Sequence, residues 1–387
     1  MNRNFKIKFL RSVDFLVGKI IIFLLTPFKI FKGRLQEEPK KILAIRLWGL
    51  GSAVLNVPAI NAVKKCYPDS ALFILEGSGI KGVFKQYRFI DEIYTTKVTA
   101  PGMAKFIFRH FMDFDLVIDF EEYFLSTVII AFLTGKRSAG FDKLQTLKLF
   151  DIKVEFNDRQ YVAETYIDIL RNLGCKPGKG RLIYPEFSKG ESERINSRMK
   201  GLGLDSDKNM PVGFCTGAAE SARERMWPLE NFALLADYLI EKYNVKIVLI
   251  GSKGEYKLNE ELLLKSRFPE NVLNLAGKLS VEELFFSMRR FSLFVSNDTG
   301  PMHMAGAAGI PVVALFGPNL PLRYAPRGEN TVVCYRGISC SPCIHAHKGI
   351  IPDCKKENRG ECMKMISVDS VKCAVDKLLS KQDIDLT

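Results

Sequence analysis

The chain has 387 residues, of which 47% are hydrophobic and 26% charged. That is the balance of a globular protein with a sizeable core, and at roughly 100–200 residues per domain it suggests two or three domains. It excludes a disordered chain, a collagen-like repeat and a small disulfide scaffold. No uncharged apolar run approaches the roughly 18–20 residues of a spanning helix, which excludes a polytopic membrane protein. Lys and Arg number 56 against 43 Asp and Glu, a formal charge of +13.

The charge is concentrated at the start. Residues 1–41 hold ten Lys and Arg against Asp14, Glu37 and Glu38, and so supply +7 of the total. Between Phe5 and Phe31 the cations alternate with aromatic and aliphatic residues, including the run Ile20–Phe28. An arm that binds nucleic acid would be polar between its cations. This pattern predicts a segment lying in the interface of an anionic membrane, with no nucleic-acid partner. A helix packed on the protein itself and a true span are the alternatives. A signal peptide fits poorly, because Asp14 and Lys19 interrupt the apolar stretch and no small-residue cleavage site follows Phe28.

From Lys41 the pattern becomes strand and helix in alternation. Lys41–Leu47, Ala71–Leu75 and Leu116–Phe120 read as strands, with helices at Ser52–Tyr67, Ser126–Thr134 and Glu164–Leu173. Residues 175–209 are rich in Lys, Gly, Pro and Ser and read as a linker carrying one polar helix, Glu191–Lys200. The alternation then restarts: strands at Pro211–Cys215, Val245–Gly251, Leu293–Ser296 and Val312–Phe316, helices at Leu229–Tyr243, Val281–Arg290 and Met302–Gly309. The expected organisation is a basic arm over 1–40, a first Rossmann-like domain over 41–185 and a second over 186–387. Such α/β sheets bind ligands beyond the carboxyl ends of their strands.

Two segments carry chemistry. Leu293–Gly317 runs from a strand through Asn297, Asp298 and Thr299, whose side chains suit a helix N-cap, to Pro301 and a helix of small residues. A helix start of this kind suits a phosphate, and His303 in its first turn can donate to a phosphate oxygen. Val212–Pro228 runs from a strand into a Gly/Ala loop, then Arg223, Arg225 and a Trp-Pro pair. It is neither a G-x-G-x-x-G nor a Walker loop.

These segments, with Ile45–Ala59 and the run Gly309–Gly317, resemble glycosyltransferase family 9, the ADP-heptose:lipopolysaccharide heptosyltransferase-like enzymes. The resemblance covers about residues 41–375. It implies a GT-B fold of two Rossmann-like domains facing a cleft and inverting transfer without a bound metal. No cofactor is expected, and the basic arm, with the poor fit to a signal peptide, predicts a cytoplasmic enzyme peripheral to the membrane. The donor would be a nucleotide sugar like ADP-heptose, the acceptor a lipopolysaccharide or another lipid-linked saccharide. Carried over by motif, Thr216, Gly217 and Arg225 would contact the diphosphate. Asp298, Thr299, Gly300 and His303 would hold the phosphates and nearby sugar, and Glu255 the ribose. Where the family has an Asp in its first loop, proposed as the base, this chain has Ser52. A serine is no base near neutral pH without a partner, so Glu121 or Glu122, just past a strand end, is the expected base. A nucleotide-sugar epimerase or hydrolase, or a non-catalytic nucleotide-sugar-binding partner protein, remains the rival reading.

Nine cysteines is an odd count. Cys66, Cys175, Cys215, Cys334 and Cys373 are scattered in apolar or helical contexts and are expected as free thiols in a reducing compartment. Cys340, Cys343, Cys354 and Cys362 form a C-x-x-C with two later thiols, with His345 and His347 between. They are candidates either for a structural zinc or for four reduced thiols.

Overall fold

The computed structural model describes residues 3–32, 38–142, 149–204, 211–345, 354 and 356–384. Parts of the arm (33–37) and of the linker (205–210), and His347, lie outside the described residues. The chain divides into two compact units, with the boundary at Arg181/Leu182. That is a few residues before the expected junction.

The first unit comprises α1 (Arg3–Leu25), a short 3-10 turn over Thr26–Phe31, β1 (Lys41–Arg46), α2 (Leu50–Cys66), β2 (Ala71–Gly77), β3 (Glu92–Thr96), α3 (Ala100–Arg109), β4 (Phe114–Asp119), α4 (Leu125–Thr134), β5 (Gly135–Phe141), β6 (Ile152–Val154) and α5 (Val162–Asn172). Its strands form one sheet in the order β3-β2-β1-β4-β5-β6, parallel at every pairing. The order reverses between β1 and β4, where Ile42 lies beside Leu116. Both central strands are almost wholly buried, as strands covered on both faces must be. α2 packs on α5, and α3 on α4.

The second unit comprises α6 (Lys189–Gly201), β7 (Val212–Cys215), α7 (Leu229–Tyr243), β8 (Ile247–Ile250), α8 (Tyr256–Lys265), β9 (Val272–Asn274), α9 (Val281–Met288), β10 (Leu293–Asn297), α10 (Gly300–Ala308), β11 (Val312–Phe316), α11 (Pro321–Tyr324), β12 (Thr331–Tyr335), α12 (Glu361–Lys364) and α13 (Val368–Ile384). Its sheet order is β12-β11-β10-β7-β8-β9. Counted within the unit, this is the same 3-2-1-4-5-6 winding. The core joins Val212 and Phe214 of β7 to Leu235 and Leu239 of α7, Leu262 of α8 and Val371, Val375 and Leu378 of α13.

The arm does not stand apart from the first unit. α1 packs along α4, with Ile22 buried in the same core cluster as Leu125 and Ile129. The Asp14 carboxylate accepts hydrogen bonds from the N–H groups of Leu125 (2.8 Å) and Ser126 (3.1 Å), capping the start of α4. Lys32 donates to the carbonyls of Phe132 and Gly135 at its end. The two helices therefore run side by side in one direction. Gly18 permits the contact, since a Cβ there would lie 2.6 Å from that of Leu125. From Arg11 onward, where α1 side chains are described, the opposite face is apolar and solvent-facing: Phe15, Leu16, Ile20, Phe23 and Leu24. No helix among the described residues is long and apolar enough to cross a membrane.

One expectation about cysteine is corrected. Cys66, the last residue of α2, and Cys175, just past α5, are joined as a disulfide with their Cα atoms 5.7 Å apart. The pair is separated by 109 residues, and only the packing of α2 on α5 brings it together. Cys215, Cys334 and Cys373 are free.

Candidate active site

In the second unit the candidate residues gather at the switch point of the sheet, where β7 and β10 are neighbours and their following loops diverge. Ligands of doubly wound sheets sit at such a crevice. Asn297, fully buried at the end of β10, holds the two loops together. Its Nδ2 donates to the carbonyls of Thr216 (2.7 Å) and Gly217 (3.3 Å), and its Oδ1 accepts from the N–H of Trp227 (3.0 Å). One side chain thereby fixes the Gly/Ala loop and the Trp-Pro turn that follows it.

The helix start left by this arrangement is open. Asn297 is engaged as described and Asp298 points to Arg225, so neither caps α10. Thr299 occupies the N-cap position without a side-chain capping bond, and its hydroxyl instead contacts Cys215 Sγ and Ser296 Oγ. The expectation of a side-chain N-cap here is thus corrected. The first N–H groups of α10 are left without a side-chain cap, and together with the positive end of the helix dipole they suit an anion.

Charged and polar groups surround that helix start. Arg225 Nη1 lies 3.5 Å from Asp298 Oδ2 and donates to the Asp298 carbonyl at 3.3 Å, while its Nε has no partner. Asn319, just beyond β11 and buried, donates to the same Asp298 carboxylate at 2.6 Å. His303 is 3% exposed and its Nδ1 has no hydrogen-bond partner. Burial lowers its pKa to about 4, with Asp298 opposing and Arg225 reinforcing that shift. The imidazole is therefore neutral at physiological pH, and acts as a hydrogen-bonding group rather than a cation.

Gly217 and Glu255 are in direct contact. A Cβ at Gly217 would lie 1.7 Å from Glu255 Oε1, so only glycine allows this approach. The other carboxylate oxygen accepts from the N–H of Ser252 at 2.6 Å. The motif-derived ribose ligand thus lies against the loop that carries the diphosphate ligands. Thr216 differs from expectation: its hydroxyl donates to Asn259 Oδ1 (2.6 Å) in the core, so what it offers the site is backbone.

In the first unit the corresponding switch point lies between β1 and β4. Glu121 Oε1 accepts from the N–H groups of Leu47 (2.6 Å) and Trp48 (3.0 Å), and Arg46 Nε lies 3.7 Å away. Glu122 accepts from the Tyr166 hydroxyl and lies 3.9 Å from Arg46 Nη1. Arg46 also donates to the Phe120 carbonyl at 2.8 Å. Both carboxylates are buried. Burial raises the Glu121 pKa against the pull of Arg46 and the two N–H donors. Glu121 thus holds the loop that leaves β1, Glu122 is engaged by Tyr166 and Arg46, and either expected base is buried. Ser52 itself is half-buried in the first turn of α2.

The model of glycosyltransferase family 9 (heptosyltransferase) matches residues 111–350. The chain belongs to this family. Lipooligosaccharide heptosyltransferase 2 of Campylobacter jejuni is 25% identical over 297 residues, 76% of this chain and 86% of that protein. Lipopolysaccharide heptosyltransferase 2 of Salmonella typhimurium is 33% identical over 142 residues, 36% of this chain and 40% of the other. Among solved structures, a family 9 glycosyltransferase from Veillonella parvula superposes with a TM-score of 0.75 at 22% identity, covering 90% of this chain and 100% of its own. The ADP-heptose heptosyltransferase II of Escherichia coli gives 0.70 at 20% identity, covering 89% and 99%. The fold is α/β of the GT-B class, and as a member of family 9 the protein is a glycosyltransferase.

The cysteine group of this family 9 chain converges. Cys340, Cys343, Cys354 and Cys362 line one narrow cavity of about 20 Å³ beside Glu224. Among the described residues, however, no group of three or more His, Cys, Asp or Glu side chains is placed to hold a metal ion. Burial raises the Cys362 pKa to about 11. Sequence reasoning missed Asn319 altogether and overlooked the stapling role of Asn297. Asn297 stood in the quoted motif. Asn319 follows the Gly309–Gly317 run by two residues, and nothing in its local pattern points 21 residues back to Asp298.

Proposed function

We propose that this chain transfers heptose or a related sugar, with inversion, from ADP-heptose or a similar nucleotide sugar to a lipopolysaccharide or other lipid-linked saccharide, at the cytoplasmic surface of the membrane. The observation that carries the reading is the uncapped start of α10, set between Arg225 and the neutral His303 and next to the Gly217–Glu255 contact. An in-line attack by an acceptor hydroxyl on the anomeric carbon breaks the bond to the diphosphate. The negative charge that develops there is met by Arg225, by the first N–H groups of α10 and by a hydrogen bond from His303. Glu255 accepts from ribose hydroxyls. Asp298, held by Arg225 and Asn319, keeps the guanidinium aimed at the phosphates. In the first unit Ser52 faces the acceptor, while Glu121 and Arg46 hold the loop. With no carboxylate on that loop, the acceptor proton leaves late, when bond formation has already made the hydroxyl acidic, and passes to solvent water, while the bond to the anomeric carbon breaks toward the nucleoside diphosphate.

The membrane part of the proposal rests on α1. Its inward side is fixed to α4, and its outward side presents Phe15, Leu16, Ile20, Phe23 and Leu24, with Lys19 lying 4.1 Å from the Phe15 ring centre. Asp14, the one acidic residue of the helix, is taken up by the cap of α4. What remains is an apolar and cationic surface of the kind that lies on anionic lipid.

The decisive experiment is a thermal-shift comparison of ADP, UDP and GDP followed by a transfer assay with ADP-heptose and heptose-deficient lipopolysaccharide. A ligand selective for the native state raises its melting temperature. ADP should give the largest shift, and sugar should reach the acceptor. Donor consumption at equal rates with and without acceptor would instead identify a hydrolase or epimerase.

A further inference from the structure

The loop that follows β1 carries a tryptophan at its outer edge. Trp48 is 41% exposed, although its own N–H is tied inward to Glu121. Its ring stacks on Phe124, with centroids 5.7 Å apart and planes 21° from parallel. Phe124 in turn contacts Tyr123 at 4.4 Å. Tyr123 is where α1 meets this edge of the sheet: Arg11 Nη2 donates to its hydroxyl at 3.2 Å, and the guanidinium lies 4.9 Å from the ring centre. A continuous row of side chains, Arg11, Tyr123, Phe124 and Trp48, therefore joins α1 to the loop that precedes Ser52.

The acidic side chains of this segment and of α1 are turned inward. Asp119, Glu121 and Glu122 are all buried, and Asp14 caps α4. Lys19 is exposed on α1. Tryptophan is the side chain most at home at the headgroup level of a bilayer, because its ring is apolar and its N–H is polar.

We propose that Trp48 enters the interfacial layer of an anionic bilayer together with the outward face of α1, so that the acceptor loop is itself part of the membrane-contacting surface. A lipid-linked acceptor would then meet the loop without leaving the bilayer. This inference rests on the membrane reading of α1 given above and adds to it a second, separable contact.

The protein supplies its own probe. It has two tryptophans, and Trp227 is 1% exposed, its Nε1 donating to the Ile366 carbonyl. Trp227 is thus a constant background. The full chain is mixed with phosphatidylglycerol–phosphatidylcholine vesicles at low salt, and co-sedimentation is measured beside tryptophan emission, with and without brominated acyl chains. Wild type should sediment, shift its emission to the blue and be quenched by the brominated lipid. Trp48→Phe should still sediment but lose the shift and the quenching. The paired change Phe23→Asp and Leu24→Asp, on fully outward positions, should abolish sedimentation. Vesicle-bound wild type whose emission is no more quenched than that of Trp48→Phe overturns the Trp48 contact and leaves the α1 reading standing. Wild type that fails to sediment at all overturns both.

Discussion

The Asn297 side chain donates to the Thr216 carbonyl at 2.7 Å, across the point where the second sheet reverses its strand order. Glu121 does the equivalent for the first sheet, accepting from Leu47 and Trp48. In each unit a side chain at or just past the end of the fourth strand fixes the loop leaving the first strand. The two sheets share a winding, and the same geometric need arises at the same place in both: the exposed ends of two adjacent parallel strands leave loop backbone groups that a buried polar side chain must satisfy. A carboxylate serves where the loop presents N–H groups, and an amide serves where it presents carbonyls.

In the proposed reaction Arg225, 3.5 Å from Asp298 at the start of α10, meets the developing charge. Loss of a charge-assisted contact to a buried phosphate costs about 1.5–3 kcal/mol, roughly tenfold to a hundredfold in affinity. Arg225→Ala should weaken ADP binding by that factor in titration calorimetry. Arg225→Lys should lose less affinity. Asn319→Ala should weaken it by a smaller factor, because Asp298 keeps Arg225 but loses its second partner.

The contact between Gly217 and Glu255 predicts non-additivity. Gly217→Ala places a methyl group where the carboxylate now sits, and so should displace Glu255 and weaken nucleotide binding. In a Glu255→Ala background the methyl group has room. The second substitution should then cost little more, and a double-mutant cycle of binding energies should show strong coupling between the two positions. Independent, additive losses would mean that the methyl group acts without displacing Glu255, and unchanged binding in Glu255→Ala alone would place Glu255 outside the site.

The parallel fold was legible in the sequence because its central strands are apolar runs ending in Gly-rich or Asn-Asp turns, as in β1, β7, β10 and β11. The strands that the reading passed over have physical reasons for looking unlike strands. β3 and β12 lie at sheet edges and are only partly buried. β5 is GKRSAGF, in which glycines admit close neighbours: a Cβ at Gly135 would lie 2.6 Å from Val117 Cγ2, and one at Gly140 an equal distance from the Phe150 ring. The donor loops were legible through their motifs, but the partners of individual side chains were not. Thr216 turning to Asn259, Asn319 reaching Asp298, and Cys66 meeting Cys175 are all long-range consequences of packing. The two faces of α1 were hidden for a related reason. Both are apolar, and the sequence carries no mark of which one the protein covers.

Burial of His303 makes stability depend on pH. Its folded pKa is about 4 against an ordinary 6.5, so between those values the unfolded chain binds more protons than the native state. Its contribution is full above about pH 6.5 and is lost as pH falls toward 4, on the order of 3 kcal/mol at 1.4 kcal/mol per unit. Denaturant midpoints measured across that window should fall more steeply for wild type than for His303→Gln, which cannot titrate. A bound diphosphate should raise the His303 pKa, visible as a shift of its imidazole resonances at pH 5. Equal slopes for the two proteins would mean that His303 is already accessible to protons in the folded state.

Glu121 separates holding a loop from accepting a proton. If Glu121 took the acceptor proton directly, Glu121→Gln would lower turnover by roughly 10²–10⁴-fold with little change in stability. The structure leads to the opposite expectation. A glutamine carbonyl can still accept from the Leu47 and Trp48 N–H groups, so Glu121→Gln should keep turnover within a few-fold of wild type. Glu121→Ala removes the acceptor altogether, leaves two loop N–H groups without it and takes a charge from beside the buried Arg46. Each unsatisfied buried group costs about 1–3 kcal/mol, so this variant should melt markedly lower and lose acceptor affinity while binding ADP normally. Ser52→Asp, in the first turn of α2 just after the loop that Glu121 holds, should be tolerated, since that position is only half-buried. Donor binding and acceptor KM, measured together for Glu121→Gln and Glu121→Ala, distinguish the two roles. A Gln variant that is folded, binds ADP and is inactive would return Glu121 to the chemistry.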